Sequence, residues 1–475
     1  MQASSSQEQT IRRSLTGQIQ MGFYDSAPFP SVQEVAQRYG VSYCPAQRAL
    51  KEMEKRGLIR LARGKETIIL ARPYEDYLQS SSFSQRAGAL SEILMTLRLL
   101  SPSITIQGIW RLKGASIDLD PDAPAGKRLY LIFDELLRAL GNRALLNLYY
   151  DLGAFIESSF LNIFYAQLAP GAADALLSRA VDDLARACAD PLSADRRAVY
   201  RDLVAQSDRF SAPLLEYLAP FADRETQTFH WKPRKGRTRY SHNIAIDLIC
   251  KIHQGTFPPG SFLPPIDSLA ETYHVSSITM RRTLELLSRS GVTYTHNGVG
   301  TQVLSTEDTD AFEQIKSLGG EEDLLLFLEA LQLLTITGES VILNTFPHFE
   351  KQDFANVQAA LSLPGERASM IAVFSACMQA VVHHAPLAAV REIYEKITLL
   401  LLPGGLLRMQ ETGREPFPDW PRKAAKMQEQ LHQKNAAGFA ASFCRLCEEN
   451  FSTTKAQLVS LGIARAKDVA DITPI

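Results

Sequence analysis

His274–Gly291 reads HVSSITMRRTLELLSRSG, and the fold of the chain turns on it. Met280, Leu284 and Leu287 recur at helical spacing, so one stripe of the segment faces a core. Arg281 and Arg282 follow Met280 and are rotated off that stripe. Paired arginines on a helix are ordinarily a solvated face, but the flanking residues argue for more. Ser276 suits the position that caps a helix N-terminus, and Ser277, Thr279 and Arg281 lie near that end. Upstream, Ile244, Leu248 and Ile252 mark a helix. The stretch HQGTFPPGSFLPPID then turns the chain, and Ile266, Leu269 and Ala270 open a second helix with Asp267 in its acidic first turn. Two helices joined by a three- to four-residue turn, the second with polar side chains at its start, make a helix-turn-helix. After Gly291, VTYTHNGVGTQVL sets β-prone runs on both sides of Asn297-Gly298, a hairpin signal that predicts a wing. At its N-terminal end such a helix enters the major groove. There arginine grips guanine O6 and N7, and serine or threonine meets base edges or phosphates.

The same plan occurs earlier. PFPSVQEVAQRYGVSYCPAQRALKEMEKRGLIRL (28–61) parallels FLPPIDSLAETYHVSSITMRRTLELLSRSGVTYT (262–295). Each has a proline approach, an amphipathic helix, a Val-Ser turn, a second helix, a glycine stop and a β-prone run. Val41-Ser42 pairs with Val275-Ser276, an offset of 276 − 42 = 234 residues. The segments that follow correspond loosely too. AGKRLYLIFDELLRALGNRALL matches PGERASMIAVFSACMQAVVHHAPL, and DRRAVYRDLVAQSDRFSAPLLEYL matches PRKAAKMQEQLHQKNAAGFAASFC. Two tandem copies of one plan are therefore expected, each a small head followed by a helical body. The fold class is mainly α: two winged helix-turn-helix heads alternate with two all-α bundles. The expected domains are head 1 at 8–74, bundle 1 at 80–228, head 2 at 236–306 and bundle 2 at 308–470. Leucines return every three or four residues in the bodies, and prolines such as Pro124, Pro170, Pro364 and Pro403 break them into about six or seven helices each.

The totals constrain function. A chain of 475 residues exceeds one ordinary core, and a net charge of −2 gives no global pull on nucleic acid. Any basic site must be local. The stretch KPRKGRTR supplies Lys232, Arg234, Lys235, Arg237 and Arg239, a phosphate attractor or a solubilising linker. Six scattered cysteines form no disulfide framework and fit a reducing compartment. The start lacks the apolar segment of a secretory signal, and no run approaches the length of a membrane span; ITLLLLPGGLL is interrupted by Pro403-Gly404-Gly405. A cytoplasmic protein without a membrane partner is expected.

The second head resembles GntR-type winged-helix transcription regulators over about seventy residues. Their pattern G-x-x-x-P-G-x-x-L-P-S, then L-A-x-x-x-x-V-S-R-x-T-V-R-x-A-L-x-x-L, then a glycine-rich wing, reads here GTFPPGSFLPPIDSLAETYHVSSITMRRTLELL and NGVGTQV. The resemblance implies a recognition helix carrying Ser276, Ser277, Thr279, Arg281 and Arg282, with Arg281 at the family's arginine position. It implies a wing of Asn297, Gly298, Gly300 and Thr301. Two arginines usual in the pattern are Ser277 and Asp267 here, which removes expected DNA contacts. The first head keeps the frame with less of the pattern. Ser42, Tyr43, Gln47 and Arg48 hold its helix positions, with Gln47 able to pair with adenine, and Arg63 and Lys65 lie in its wing. A head retained only for packing is the competing reading.

The bodies faintly resemble the all-helical effector domains of the FadR-like branch. Many of those hold a metal through an aspartate and three histidines. The corresponding positions are Tyr130, Asp134 and places near Arg196 and Leu218, and in the second body Phe374-Ser375, so no such metal and no cofactor is expected. Cys444-x-x-Cys447 has no partner pair, and adjacent His383 and His384 diverge on a helix. No phosphate loop, Ser-His-Asp set or lysine-centred motif appears, so an enzyme is not expected. The expected partner is a double-stranded DNA operator, with a small-molecule effector as a further candidate. A homodimer and a pseudo-dimeric monomer both stay open, as does a protein-interaction scaffold built on the same surfaces.

Overall fold

The structure, a computed structural model, describes residues 7–20, 23–24, 28–39, 41–61, 67–70, 77–112, 114, 117–157, 159–189, 195–222, 227–233, 240–253, 255–304, 321–404 and 419–473. The chain divides into two units. One holds residues 1–237 with 386–393 and 472–475; the other holds 238–385 with 394–471.

In the first unit, α1 (Gln7–Gln20), α2 (Val32–Tyr39) and α3 (Tyr43–Lys55) precede the strands β1 (Ile59–Arg60) and β2 (Ile68–Ile69). The strands pair antiparallel, Ile59 opposite Ile69. Ile11 and Leu15 of α1, Val35 of α2, and Ala46, Ala49, Leu50 and Met53 of α3 meet in one core with Ile59. These apolar positions sit three and four apart, so each helix turns one stripe inward. The short α4 (Ser81–Ser84) leads into α5 (Ala87–Leu112), α6 (Ala125–Ala139), α7 (Arg143–Ile156), α8 (Ser159–Gln167), α9 (Ala172–Ala189) and α10 (Arg196–Leu218). Ile106 and Ile109 of α5 pack with Ile132 and Leu136 of α6, Val181 and Leu184 of α9 and Leu203 of α10. A buried charge cluster fixes α1 to this bundle. Glu157 lies 3.5 Å from Arg12 and 2.6 Å from Arg86, and Arg86 also donates to the Tyr77 hydroxyl at 2.7 Å. Burial, with Arg86 close by, pushes the neighbouring Arg13 guanidinium down to about 10.

The second unit begins with α11 (Tyr240–His253), α12 (Ile266–Thr272) and α13 (Ser277–Arg289), followed by β3 (Thr293–His296) and β4 (Gly300–Val303). Its bundle comprises α14 (Glu321–Thr345), α15 (Lys351–Leu361), α16 (Glu366–His384), α17 (Ala388–Leu401, whose first turns belong to the other unit), α18 (Trp420–His432) and α19 (Ala436–Ser460). α14 is buried on all faces from Asp323 to Gly338, and its interior hydroxyls bond back to the preceding turn, Thr335 to the Leu331 carbonyl at 2.7 Å and Thr337 to that of Leu333 at 2.8 Å. α11 is tied to the bundle by His242, 3.6 Å from Asp323, and by Asn243, which donates to the Leu399 carbonyl at 3.1 Å.

One expectation is corrected. Residues 87–112 and 321–348 form helices long and apolar enough to cross a membrane. Their hydrophobicity has an internal reason: 56% and 89% of their most apolar windows are buried within the protein, the condition of a helix at the centre of a bundle. Cys444 and Cys447 lie in α19, as a helical reading requires. Burial pushes the Cys444 thiol up to about 12 and raises the Cys447 thiol well above its ordinary value.

Candidate nucleic-acid interface

α12 and α13 are joined by a turn through Tyr273, His274, Val275 and Ser276. His274 takes the left-handed conformation, φ +51°, and the Val275 amide closes the turn on the Ala270 carbonyl at 2.9 Å. Ser276 caps α13, its hydroxyl accepting from the Thr279 amide at 3.3 Å. The helix ends at Gly291, φ +73°. There the Val292 amide reaches the Leu287 carbonyl at 3.0 Å and the Gly291 amide reaches that of Ser288 at 3.3 Å, a double closure that needs a residue free to be left-handed. Met280, Thr283, Leu284 and Leu287 face the core. The opposite stripe is Ile278, Arg281, Arg282 and Glu285, all exposed. Among the described residues Arg281 and Arg282 take part in no hydrogen bond or ion pair, so two guanidinium groups stand free on the outward face.

The first turn of α13 differs from the sequence expectation. Ser277 is engaged internally, its hydroxyl donating to Asp267 at 2.9 Å. The two positions that depart from the GntR pattern therefore bond to each other. The Thr279 hydroxyl lies 3.0 Å from that of Ser276. Ile278, not singled out from the sequence, is 64% exposed; its place opposite the Met280–Leu284 stripe was the available signal.

The wing pairs Thr293 with Val303 through His296 with Gly300. Its loop holds Asn297, Gly298 and Val299, closed by the Val299 amide on the His296 carbonyl at 3.1 Å. Asn297 and Gly298 are exposed at the tip. Thr301 is 6% exposed, its hydroxyl 3.2 Å from that of Thr295 across the two strands. Gly300 has a packing reason, since a Cβ there would sit 3.1 Å from the Phe262 ring.

In α3 and just before it, Ser42, Tyr43 and Arg48 are exposed and Gln47 is half-buried. Arg48 pairs with Glu8 of α1 at 3.3 Å. Arg63, Lys65, Arg234, Lys235, Arg237 and Arg239 lie outside the described residues. Asp134, aligned with a metal position, is bound by Arg138 at 2.6 Å and by the Tyr150 hydroxyl at 2.8 Å. Among the described residues no group of three or more His, Cys, Asp or Glu is placed to hold a metal. The first unit also has a partly open pocket of about 320 Å³ lined by Tyr130, Phe133, Tyr149, Tyr150 and Phe160 and reaching Gln18 of α1. Burial, reinforced by Asp134, pushes the Tyr130 hydroxyl up to about 12.

Residues 241–303 match the family of bacterial regulatory proteins, gntR family. The match spans α11 to β4, so the winged helix-turn-helix built by that segment is of the kind found in this family of regulators. No curated protein matches the chain. Among solved structures, a GntR protein of Streptococcus agalactiae is similar at 13% identity and a TM-score of 0.20, over 45% of this chain and 99% of its own. E. coli McbR/YncC is similar at 16% identity and a TM-score of 0.24, over 47% of this chain and 99% of its own.

Proposed function

We propose that the chain is a sequence-specific transcription regulator whose two unlike heads read non-identical half-sites of one operator, so that one molecule does the work of a dimer. The observation that carries the reading is the pair of free guanidinium groups on the outward stripe of α13, within a domain of a DNA-binding family. Arginine on such a stripe meets guanine in the major groove, while a near-neutral chain leaves the remaining affinity to local cations. The first head is supported by repetition of element bounds. Adding 234 to Tyr43–Lys55 gives 277–289, the bounds of α13. A DNA partner puts the protein in the cytoplasm.

In this reading the bundles hold the heads and take an effector. The aromatic pocket that reaches α1 fits a small, largely apolar metabolite, and its volume is at the lower end for ligand sites. A ligand there acts only if it binds two arrangements with different affinity. Thermal-shift screening against metabolite classes tests this; no shift with any class leaves the bundles a structural role alone.

The test of the main reading is selection of duplexes by the full chain from a randomised library, followed by footprinting at two salt concentrations. Two unlike protected half-sites per chain are expected. A perfect palindrome protected by two chains through the same head overturns it, and capture of protein partners with no sequence preference on DNA favours a scaffold. Cys44, exposed on α3, reports on the first head: the selected duplex should protect it from a thiol reagent if α3 docks.

A further inference from the structure

We infer that Ile278 is a specificity-determining residue that reads the C5-methyl group of a thymine beside the guanine met by Arg281. The inference rests on the proposed reading of α13 as a groove-binding helix, and it names part of that helix's target.

Three observations carry it. First, Ile278 is 64% exposed in the first turn of α13, on the same stripe as Arg281 and Arg282 and opposite the buried Met280, Thr283 and Leu284. Second, the hydroxyls around it are occupied. Ser276 caps the helix and lies 3.0 Å from Thr279, and Ser277 is bonded to Asp267 at 2.9 Å. The helix end that would face base edges thus presents a branched aliphatic side chain where hydroxyls would read hydrogen-bonding groups. Third, the free guanidiniums three and four residues on select the kind of surface that covers Ile278. An apolar protein surface would bury two unpaired cations, which is costly. The major groove places acceptors for arginine next to the one apolar group it displays, the thymine methyl. Ile278 and Arg281 are separated by about 4.5 Å along a helix axis, against about 3.4 Å per base step. The thymine therefore falls one or two steps from the guanine.

The experiment uses the full chain and duplexes it selects from a randomised library, with each thymine replaced in turn by deoxyuridine, which lacks only the methyl group. At one position, in the half-site met by α13 and next to the guanine whose recognition is lost in Arg281→Ala, affinity should fall about fourfold, the effect of burying one methyl-sized group. Ile278→Ala should lose a similar factor on the thymine duplex and become indifferent to deoxyuridine there; an exposed side chain is not needed for folding, and circular dichroism checks that it is not. Selection that succeeds while deoxyuridine is neutral at every position, or an Ile278→Ala protein as sensitive to it as the parent, overturns this inference and leaves the regulator reading standing. Failure to select any preferred sequence overturns both.

Discussion

The segments α2–β2 and α12–β4 have helices of matching bounds and differ in what those helices display. Ala46, Ala49, Leu50 and Met53 of α3 are buried; so are Met280, Thr283, Leu284 and Leu287 of α13, each 234 residues further on. Both helices stop in the same way. Gly57 at φ +68° bonds to the Glu54 carbonyl at 2.8 Å while the Leu58 amide reaches that of Met53 at 3.0 Å, the same pair of closures as at Gly291. The outward stripes are different molecules to a ligand. α13 shows Ile278, Arg281, Arg282 and Glu285, whereas α3 shows Cys44, Gln47, Arg48 and Lys51, with Arg48 held by Glu8. The buried positions of the two helices thus correspond while the exposed ones differ, as expected where a core tolerates little change in volume and a surface tolerates much.

If the frames are equivalent, their cores should fail alike. Leu50→Ala and Leu284→Ala remove side chains that are 1% and 6% exposed, and each should cost its head about 2–5 kcal/mol. Hydrogen exchange resolved by segment is the suitable measurement, because a chain of several units need not unfold in one step. A small loss at Leu50 beside a large one at Leu284 would break the equivalence.

The outward stripes should fail differently. Arg281→Ala should cost about 1–3 kcal/mol of discrimination at one base pair, read by anisotropy on duplexes varied at single positions. Gln47→Ala, half-buried on the other helix, should alter a different base pair and cost less, because it removes neutral bonds and no charge. Loss spread evenly over all base pairs on removing Arg281 would make it a phosphate contact and return the comparison to electrostatics alone.

What could be read from the sequence was local. The inward stripe of α13, the Ser276 cap and the Gly291 stop follow from residues within one or two turns of each other, and the helical bundles follow from recurring leucines. The orientation of Thr301 was not available, because it depends on strand register. The loop of Asn297, Gly298 and Val299 sets His296 opposite Gly300 and turns Thr301 inward; one residue of slip would turn it out. The bonds of Ser277 to Asp267 and of Arg48 to Glu8 join different helices, and spacing along a chain does not encode such meetings. Membrane-like hydropathy in 87–112 and 321–348 was missed because Ser, Thr, Gln and Gly interrupt the apolar runs, and their burial becomes visible only once the surrounding helices are placed.

The finest contrast lies at the starts of α3 and α13. Ser42 and Ser276 both hold extended backbone before the first helical residue, φ −70° and −69°, yet only Ser276 makes a cap bond. The cause is one residue. The amide that such a cap reaches belongs to the third helical position, Thr279 in α13 and Pro45 in α3, and proline has no N–H to give. The Ser42 hydroxyl is left for solvent or for a ligand. Ser276→Ala should therefore lower the stability of its head by about 1 kcal/mol, whereas Ser42→Ala should change little. The converse substitution sharpens the point. Pro45→Thr restores the missing donor at a position where the helical backbone is already formed, so Ser42→Ala should become costly in that background and not in the parent chain. Equal effects of Ser42→Ala in both backgrounds, measured as exchange protection of the α3 amides, would show that the proline is not what separates the two helix starts.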